Sequence, residues 1–378
     1  MKTIRHTVSL PCSYPLERLQ AGLLFFDIET TGFSGDRSML YLIGCIAPDP
    51  KTGQWDMIQW FADTPRSEPE LLTAFFTYLK ERHRQEGDPI LLHFNGDTFD
   101  IPFLLKRCRH HGLPYDFSKI RSVDIYQKIR PYKALLGLGS LKQKAVERFL
   151  QLDRKDQYSG GQLVEVYHRY LRTGEPKLYD LLLLHNEEDL KGMPLICPVL
   201  SYPDMLTGDF SLQRQQVIWK DTAHVPPAPA TGSTPAVPVL ELVFKSPCTV
   251  PIPFRSPGRL PGSLICGEGD RLLCLIPLYE GELRHFYPDY KDYHYLPVED
   301  MAVHKSVGAY VAKEARVKAT AKTCYTRTSG LFLPQPSLIW QPVFKKEYAD
   351  KNSYVLYASD LFLDPEAASL YLRQLLPC

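Results

Sequence analysis

The sequence predicts an α/β domain with a mixed sheet flanked by helices, followed by a smaller α+β domain. Three observations predict it. Apolar, strand-like runs follow one another before the first helix, within Leu23–Phe33 and at Met39–Ala47 and Gln54–Phe61. Helix and strand patterns then alternate and end in helices, which argues for a mixed sheet. Finally, Thr222–Pro238 (TAHVPPAPATGSTPAVP) is rich in Pro, Ala and Thr and has no Asp, Glu, Lys or Arg. It cannot bury a face, so it reads as a semi-stiff linker between residues 1–221 and 239–378.

In LLFFDIETTGF, alternate side chains share a face, so Asp27 and Glu29 point one way and Leu24, Phe26 and Ile28 the other. Leu23 and Phe25 precede the acids on their own face, as in a strand inside a sheet. Two like charges at a strand end repel unless a cation sits between them; the bland alternative is a solvated acidic turn. Residues Pro48–Gly53 turn the chain between the next two strands, giving a meander. Ser67 and Glu70 have capping-box spacing ahead of Leu71, Leu72, Phe75, Phe76 and Leu79, an amphipathic helix.

Ile90–Phe94 returns to strand, Asn95–Asp100 (NGDTFD) forms a loop, and Ile101–His111 is helical with Pro102 in its first turn. Arg121–Asp124 reads as a short strand. Helices are predicted at Ser140–Leu150, Gly161–Arg172 and Leu178–Leu195. In the tail, Arg271–Tyr287 reads as a hairpin turning at Glu280-Gly281, Val298–Lys322 as a long helix, Trp340–Phe344 and Tyr354–Tyr357 as strands, and Pro365–Leu376 as a last helix.

Composition narrows the function. A net charge of +1 over 378 residues gives no whole-protein field that would gather a polyanion, so any nucleic-acid contact must come from local patches. The nine cysteines are scattered, without CxxC or Cys/His zinc spacing. They fit core thiols in a reduced, cytoplasmic compartment. The sequence shows neither a secretory apolar region nor a bilayer-length run, so no membrane association is expected.

Acidic side chains recur where a sheet could gather them. Asp27 and Glu29 end the first strand, Asp100 opens the helix after Ile90–Phe94, and Asp189 lies in LLLLHNEEDL. His185 sits four residues before Asp189, on the same helix face. Phosphodiester hydrolysis suits such a set. Two divalent cations, Mg2+ or Mn2+, prefer carboxylate oxygens and stabilise both the attacking and the leaving oxygen. An imidazole beside them can take a proton from the attacking water. Singly, each residue has a bland reading: His185 as a hydrogen-bonded helix histidine, Glu187, Glu188 and Asp180 as solvated charges, Asp124 as a helix N-cap. Asp97 competes with Asp100 for the loop position and can make an Asx-turn. Only the combination points to a site.

DIETTG (Asp27–Gly32), NGDTFD (Asn95–Asp100) and HNEED (His185–Asp189) resemble, in order, the three exonuclease motifs of the DEDD superfamily, which has an RNase H-like fold. More narrowly, the chain resembles the YprB-like, ribonuclease H-like bacterial proteins, over roughly residues 20–200. The resemblance implies that Asp27, Glu29, Asp100 and Asp189 bind two metal ions and that His185 activates water. It also implies that Asn95 and the Thr30–Thr31–Gly32 backbone position the substrate strand end. It favours Asp100 over Asp97, because Phe99-Asp100 matches the family's aromatic-Asp pair. One departure stands out: the family's histidine subgroup usually has one more residue between base and aspartate, and this chain places a histidine at the spacing of the tyrosine subgroup.

The expected function is therefore metal-dependent 3′-5′ exonuclease action on single-stranded nucleic acid, RNA or DNA. An endonuclease and a non-catalytic nucleic-acid-binding module are the alternatives. In the tail, Lys305, Lys313, Arg316, Lys318, Lys322 and Arg327 accompany Glu314 as the only acid between His304 and Arg327. Phe286, Tyr287, Tyr290, Tyr293 and Tyr295 precede them. Basic groups on one helix with aromatic faces nearby suggest a single-strand-binding accessory domain; the same tyrosines can equally fill a core.

Overall fold

The successive apolar runs do pair as a meander, and a further strand joins its edge. The computed structural model describes residues 1–12, 14, 15, 22–49, 52, 54–153, 158, 160–221 and 236–376. The chain divides into two compact units, Met1–Pro203 and Asp204–Cys378. Six strands of the first unit, β1 (Lys2–Val8), β2 (Leu23–Thr30), β3 (Leu40–Pro48), β4 (Trp55–Phe61), β5 (Ile90–His93) and β6 (Arg121–Asp124), form one sheet in the order β1-β4-β3-β2-β5-β6. The pairs from β1 through β2 are antiparallel, while β2–β5 and β5–β6 are parallel. This is the expected mixed sheet. The turn predicted at Pro48–Gly53 lies largely outside the described residues.

Strand alternation decides what each face holds. Leu24, Phe26 and Ile28 join Ile43, Ile58 and Trp60 in a core under α1 (Glu68–Glu86) and α2 (Asp100–His110). The opposite face carries Tyr41, Leu42 and Phe61 against Leu163, Tyr167 and Leu182 of α5 (Gly160–Thr173) and α6 (Pro176–Ile196). Asp27 and Glu29 share that second face. The short helices α3 (Ile125–Ile129) and α4 (Gln143–Phe149) lie between β6 and α5 in the chain, and α7 (Ser201–Thr207) follows α6.

A buried ion pair sets the position of α2. Arg107 donates from Nε and Nη2 to the two carboxylate oxygens of Glu68, each at 2.6 Å, and from Nη1 to Gly35 O at 3.1 Å. Leu40 N–H donates to Glu68 Oε1 at 2.8 Å, and His111 lies 2.9 Å from Oε2. Burial pushes the Glu68 carboxyl up, but these partners outweigh it and hold it below its ordinary value. α1, α2, β3 and the loop after β2 thus meet on one carboxylate. The capping box does not form: Ser67 Oγ donates to Asp63 at 2.9 Å and makes no cap bond to the helix.

The second unit has more sheet than the pattern suggested. β7 (Ser211–Asp221), β8 (Ala236–Pro257) and β9 (Leu264–Pro277) form one antiparallel sheet. β10 (Tyr279–Phe286) pairs with β14 (Tyr325–Gln335), which pairs with β15 (Ser353–Leu356). β11 (Tyr293–Leu296) lies between β12 (Met301–His304) and β13 (Val317–Lys318). α8 (Lys305–Gly308) is one turn, and α9 (Pro365–Leu375) is the expected last helix.

Three expectations change here. The hairpin at Glu280-Gly281 does not form; the chain breaks at Leu278, and Gly281 pairs with Gly330 of β14. The long basic helix is absent, because Met301–His304 and Val317–Lys318 pair with β11 and leave only α8 and a single 3-10 turn, Lys313–Ala315, between them. Tyr287, Tyr290, Tyr293 and Tyr295 pack against Ala302, Ala319 and Cys324, with Tyr287 stacked on Tyr293 at 4.9 Å; they are half-buried at the edge of a small core. The division at Pro203 also precedes the expected boundary, since β7 pairs with β8. Of the expected linker, residues 222–235 lie outside the described residues, and Ala236–Pro238 pair with Trp219–Asp221.

Replacing Arg107 with Ala strands a buried carboxylate and is expected to cost about 3–5 kcal/mol in urea unfolding, whereas replacing Glu68 and Arg107 together with Leu and Met costs far less.

Candidate active site

Alternation on β2 puts Asp27 and Glu29 on the face that α6 covers, and α6 brings His185, Asn186 and Asp189 down onto them. Nε2 of His185 lies 3.5 Å from Glu29 Oε1 and 3.4 Å from Asp189 Oδ2. The ligand atoms of Glu29, His185 and Asp189 lie within 4.8 Å of one another. Asp100 reaches the group from the other side. Pairing of β2 with β5 ends at Phe25↔Leu92, leaving the rest of that strand edge open. The Ile28 and Asp100 backbone amides hydrogen-bond the Asp100 carboxylate there. Asp97, its sequence rival, is instead exposed and accepts from Ser122 Oγ.

The electrostatics record the crowding. Burial, then the charges of Asp189, Glu29 and Asp100, push the Asp27 carboxyl far above its ordinary value, against the Asn186 hydrogen bond. Burial likewise pushes Asp100 up to about 7. A divalent cation would relieve the repulsion among these converging carboxylates, as protonation does. A donor set of carboxylate oxygens with one imidazole suits hard divalent cations. The residues present therefore fit such ions.

The side chains that aim the acids were not singled out from the sequence. Asn186 Nδ2 donates to Asp27 Oδ2 at 2.9 Å, and its Oδ1 accepts from Gln59 Nε2 at 2.8 Å. Gln59 also donates to Leu183 O at 3.0 Å. Gly44 is the cross-strand neighbour of both Asp27 and Gln59, and Asn186 occupies the space above it; a Cβ there would run into Asn186 Oδ1 and Leu190 Cδ1. Tyr41, wholly buried and stacked on Tyr167 at 4.2 Å, donates its hydroxyl to Glu29 Oε2 at 3.5 Å. Burial raises the Tyr41 hydroxyl well above its ordinary value, so it stays a donor. The signals were faint: one Asn inside HNEED and one Gln on a strand.

A second network shapes the loop that delivers Asp100. Asn95 adopts φ 67°, and its N–H donates to Asp124 Oδ1 at 2.9 Å; Asp97 N–H reaches Oδ2 at 3.3 Å. Asp124 also caps α3 through Gln127 N–H, the role its sequence position suggested. His93 Nδ1 accepts from Gly96 N–H at 3.0 Å, which places the proton of the neutral ring on Nε2, 2.6 Å from Ser122 Oγ. Burial lowers the His93 pKa. Although His93, Ser122 and Asp124 resemble a hydrolytic triad in composition, the ring nitrogen facing Ser122 is protonated and cannot act as its base. The network is structural.

Of the residues expected to position substrate, Thr30 Oγ1 donates to Gly32 O at 2.9 Å. Thr31 exchanges bonds with Met39 through its N–H, at 2.9 Å, and its Oγ1, at 3.0 Å. Both hydroxyls hold the loop. Phe33 beside them is 93% exposed and edge-on to Phe99 at 6.2 Å.

Residues 24–200 match the RNase_H superfamily, over the mixed sheet and the helices that carry these acids. Residues 24–200 form an RNase H-like domain. Over parts of its length the chain is similar to curated DNA polymerases. That of Thermococcus sp. (strain 9oN-7) is 26% identical over 113 residues, 28% of this chain and 14% of the polymerase. That of Thermococcus litoralis is 30% identical over 97 residues, 24% of this chain and 5% of the polymerase. The chain thus spans a small part of either relative. The solved structure of the family B DNA polymerase from the hyperthermophilic archaeon Pyrobaculum calidifontis aligns with TM-score 0.39 at 16% identity, covering 48% of this chain and 24% of that one.

Two outcomes follow for the RNase H-like domain. Gly44→Ala displaces Asn186 from Asp27, and Asn186→Leu removes it. Each is expected to weaken Mn2+ binding, followed by calorimetric titration, about 10–100-fold. An acid whose folded pKa is raised binds more protons folded than unfolded, so the cation-free protein loses stability as pH rises from about 4 to about 7. Asp100→Asn should flatten that slope and raise stability at pH 8 by on the order of 1–3 kcal/mol in thermal melts.

Proposed function

We propose that the RNase H-like domain is a DEDD-type nuclease that hydrolyses phosphodiester bonds of single-stranded nucleic acid from a 3′ end with two divalent cations, Mg2+ or Mn2+. The observation that carries this reading is the convergence of four carboxylates, distant in sequence, around Asp27, with Asp27 and Asp100 pushed up first by burial and then by neighbouring charges. The superfamily match and the partial likeness to DNA polymerases support it.

Asp27, Glu29, Asp100 and Asp189 would hold the cations. Bound there, the ions would supply positive charge to the attacking and leaving oxygens. His185 is only 5% exposed, and its Nε2 faces Glu29 and Asp189. From there the imidazole takes the proton of the attacking water on Nε2. Tyr41 and Asn186 hold Glu29 and Asp27 in register, so the acids need not reorganise when charge develops. Thr30, Thr31, Gly32 and Asn95 line the approach of the strand end, and the 3′-5′ polarity rests on the resemblance of the three motifs. The described cysteines are free thiols, and the proposal takes the cytoplasm as its setting. No helix among the described residues is long and apolar enough to cross a membrane.

Incubating the full chain with Mn2+ and 5′-labelled single strands of RNA and DNA should produce a ladder shortening from the 3′ end. Asp27→Asn should lower turnover by at least about 100-fold. Internal cuts would indicate the endonuclease, and intact strands that still bind would indicate the binding module; either result sinks the exonuclease reading. His185→Phe, which keeps the ring volume but removes the base, should flatten the acid limb of the pH–rate profile.

A further inference from the structure

An open groove of about 590 Å³ lies beside the carboxylates, and nothing above assigns it an occupant. Its lining includes Phe94 and Tyr126, set edge to face at 6.0 Å. It also includes Lys133 and Lys142, both exposed and without an ion-pair partner among the described residues. The groove is tied to the site at two points. Asn95 lines it and begins the loop ending at Asp100. Gln143 lines it and donates from Nε2 to Asp189 O at 2.9 Å.

We infer that this groove seats the stretch of unpaired polynucleotide next to the scissile bond, with Lys133 and Lys142 on its phosphates and Tyr126 against a base. The inference rests on the nuclease reading and adds the strand's path to it. Two cations without counter-charges in one groove are a poor arrangement for the free protein and suit an anion with repeated charges. Half-buried aromatic rings lining the same groove suit a base face. A base presents its face only when unstacked, so the lysines and the rings together select single strands over duplexes. Four residues of the groove, Phe94, Asn95, Tyr126 and Gln143, sit on or beside β5, α3 and α4. The path is therefore preformed.

The test measures binding apart from cleavage. Fluorescence anisotropy of a labelled hexanucleotide, with EDTA present, compares the full-length wild type with Lys133→Ala/Lys142→Ala, Tyr126→Leu and Tyr126→Phe. The double lysine variant should bind at least about 10-fold more weakly, and its log K against log salt slope should shrink by roughly 1.4, two contacts at about 0.7 each. Tyr126→Leu should weaken binding about 5-fold or more, and Tyr126→Phe should restore it. Wild-type affinity and slope in the lysine variant would overturn the inference. The p-nitrophenyl ester of thymidine 5′-monophosphate, too short to enter the groove, should be hydrolysed equally by wild type and lysine variant. A loss there would place the lysines at the reacting phosphate and also overturn the groove. If the wild type cleaves neither ester nor oligonucleotide while the lysine variant binds more weakly, the nuclease reading falls and the groove stands.

Discussion

Mutual repulsion among four carboxyl groups is the constraint around which the first unit is arranged. Left to themselves, Asp27, Glu29, Asp100 and Asp189 would splay toward water. The fold prevents this by giving three of the acids a fixed partner: Asn186 for Asp27, Tyr41 for Glu29 and the Ile28 amide for Asp100. Those partners come from β2, β3 and α6, which are mutually packed, and the raised pKa values of Asp27 and Asp100 record burial first and repulsion second. A site built this way gains most from binding positive charge, because the cost of convergence is already carried by the folded scaffold.

The scaffold is stiff where the acids require it. Glu68 gathers α1, α2, β3 and the loop after β2 through Arg107, Leu40 and His111, and this bidentate pair fixes the entry of α2, whose first residue is Asp100. On the other side of that loop, Asp124 and His93 fix Asn95 to Asp97. The two polar clusters flank the loop without entering the site, which separates holding the backbone from doing chemistry.

Continuous apolar runs made the sheet legible, since β2 and β3 are buried on both faces, and strand alternation sorts their side chains between those faces. The same pattern placed Asp27 and Glu29 on one face, and i,i+4 spacing placed His185 beside Asp189. What stayed hidden depends on contacts between distant segments. Nothing local distinguishes Gln59 from any strand glutamine; its role comes from Asn186, 127 positions away. Gly44 is needed because a side chain from α6 fills its place. In the second unit, local basic and aromatic composition suggested a helix, but pairing with β11 overrode propensity, and the tyrosines packed at the edge of a small core.

Chain order has a consequence of its own. All six strands of the sheet lie before residue 125, whereas His185, Asn186 and Asp189 lie on α6, which begins at Pro176. During synthesis the strands emerge first. A nascent chain with its sheet already outside the ribosome therefore shows three unsupported acids, Asp27, Glu29 and Asp100, and no closed cluster. Convergence of all four carboxylates waits on the docking of α6.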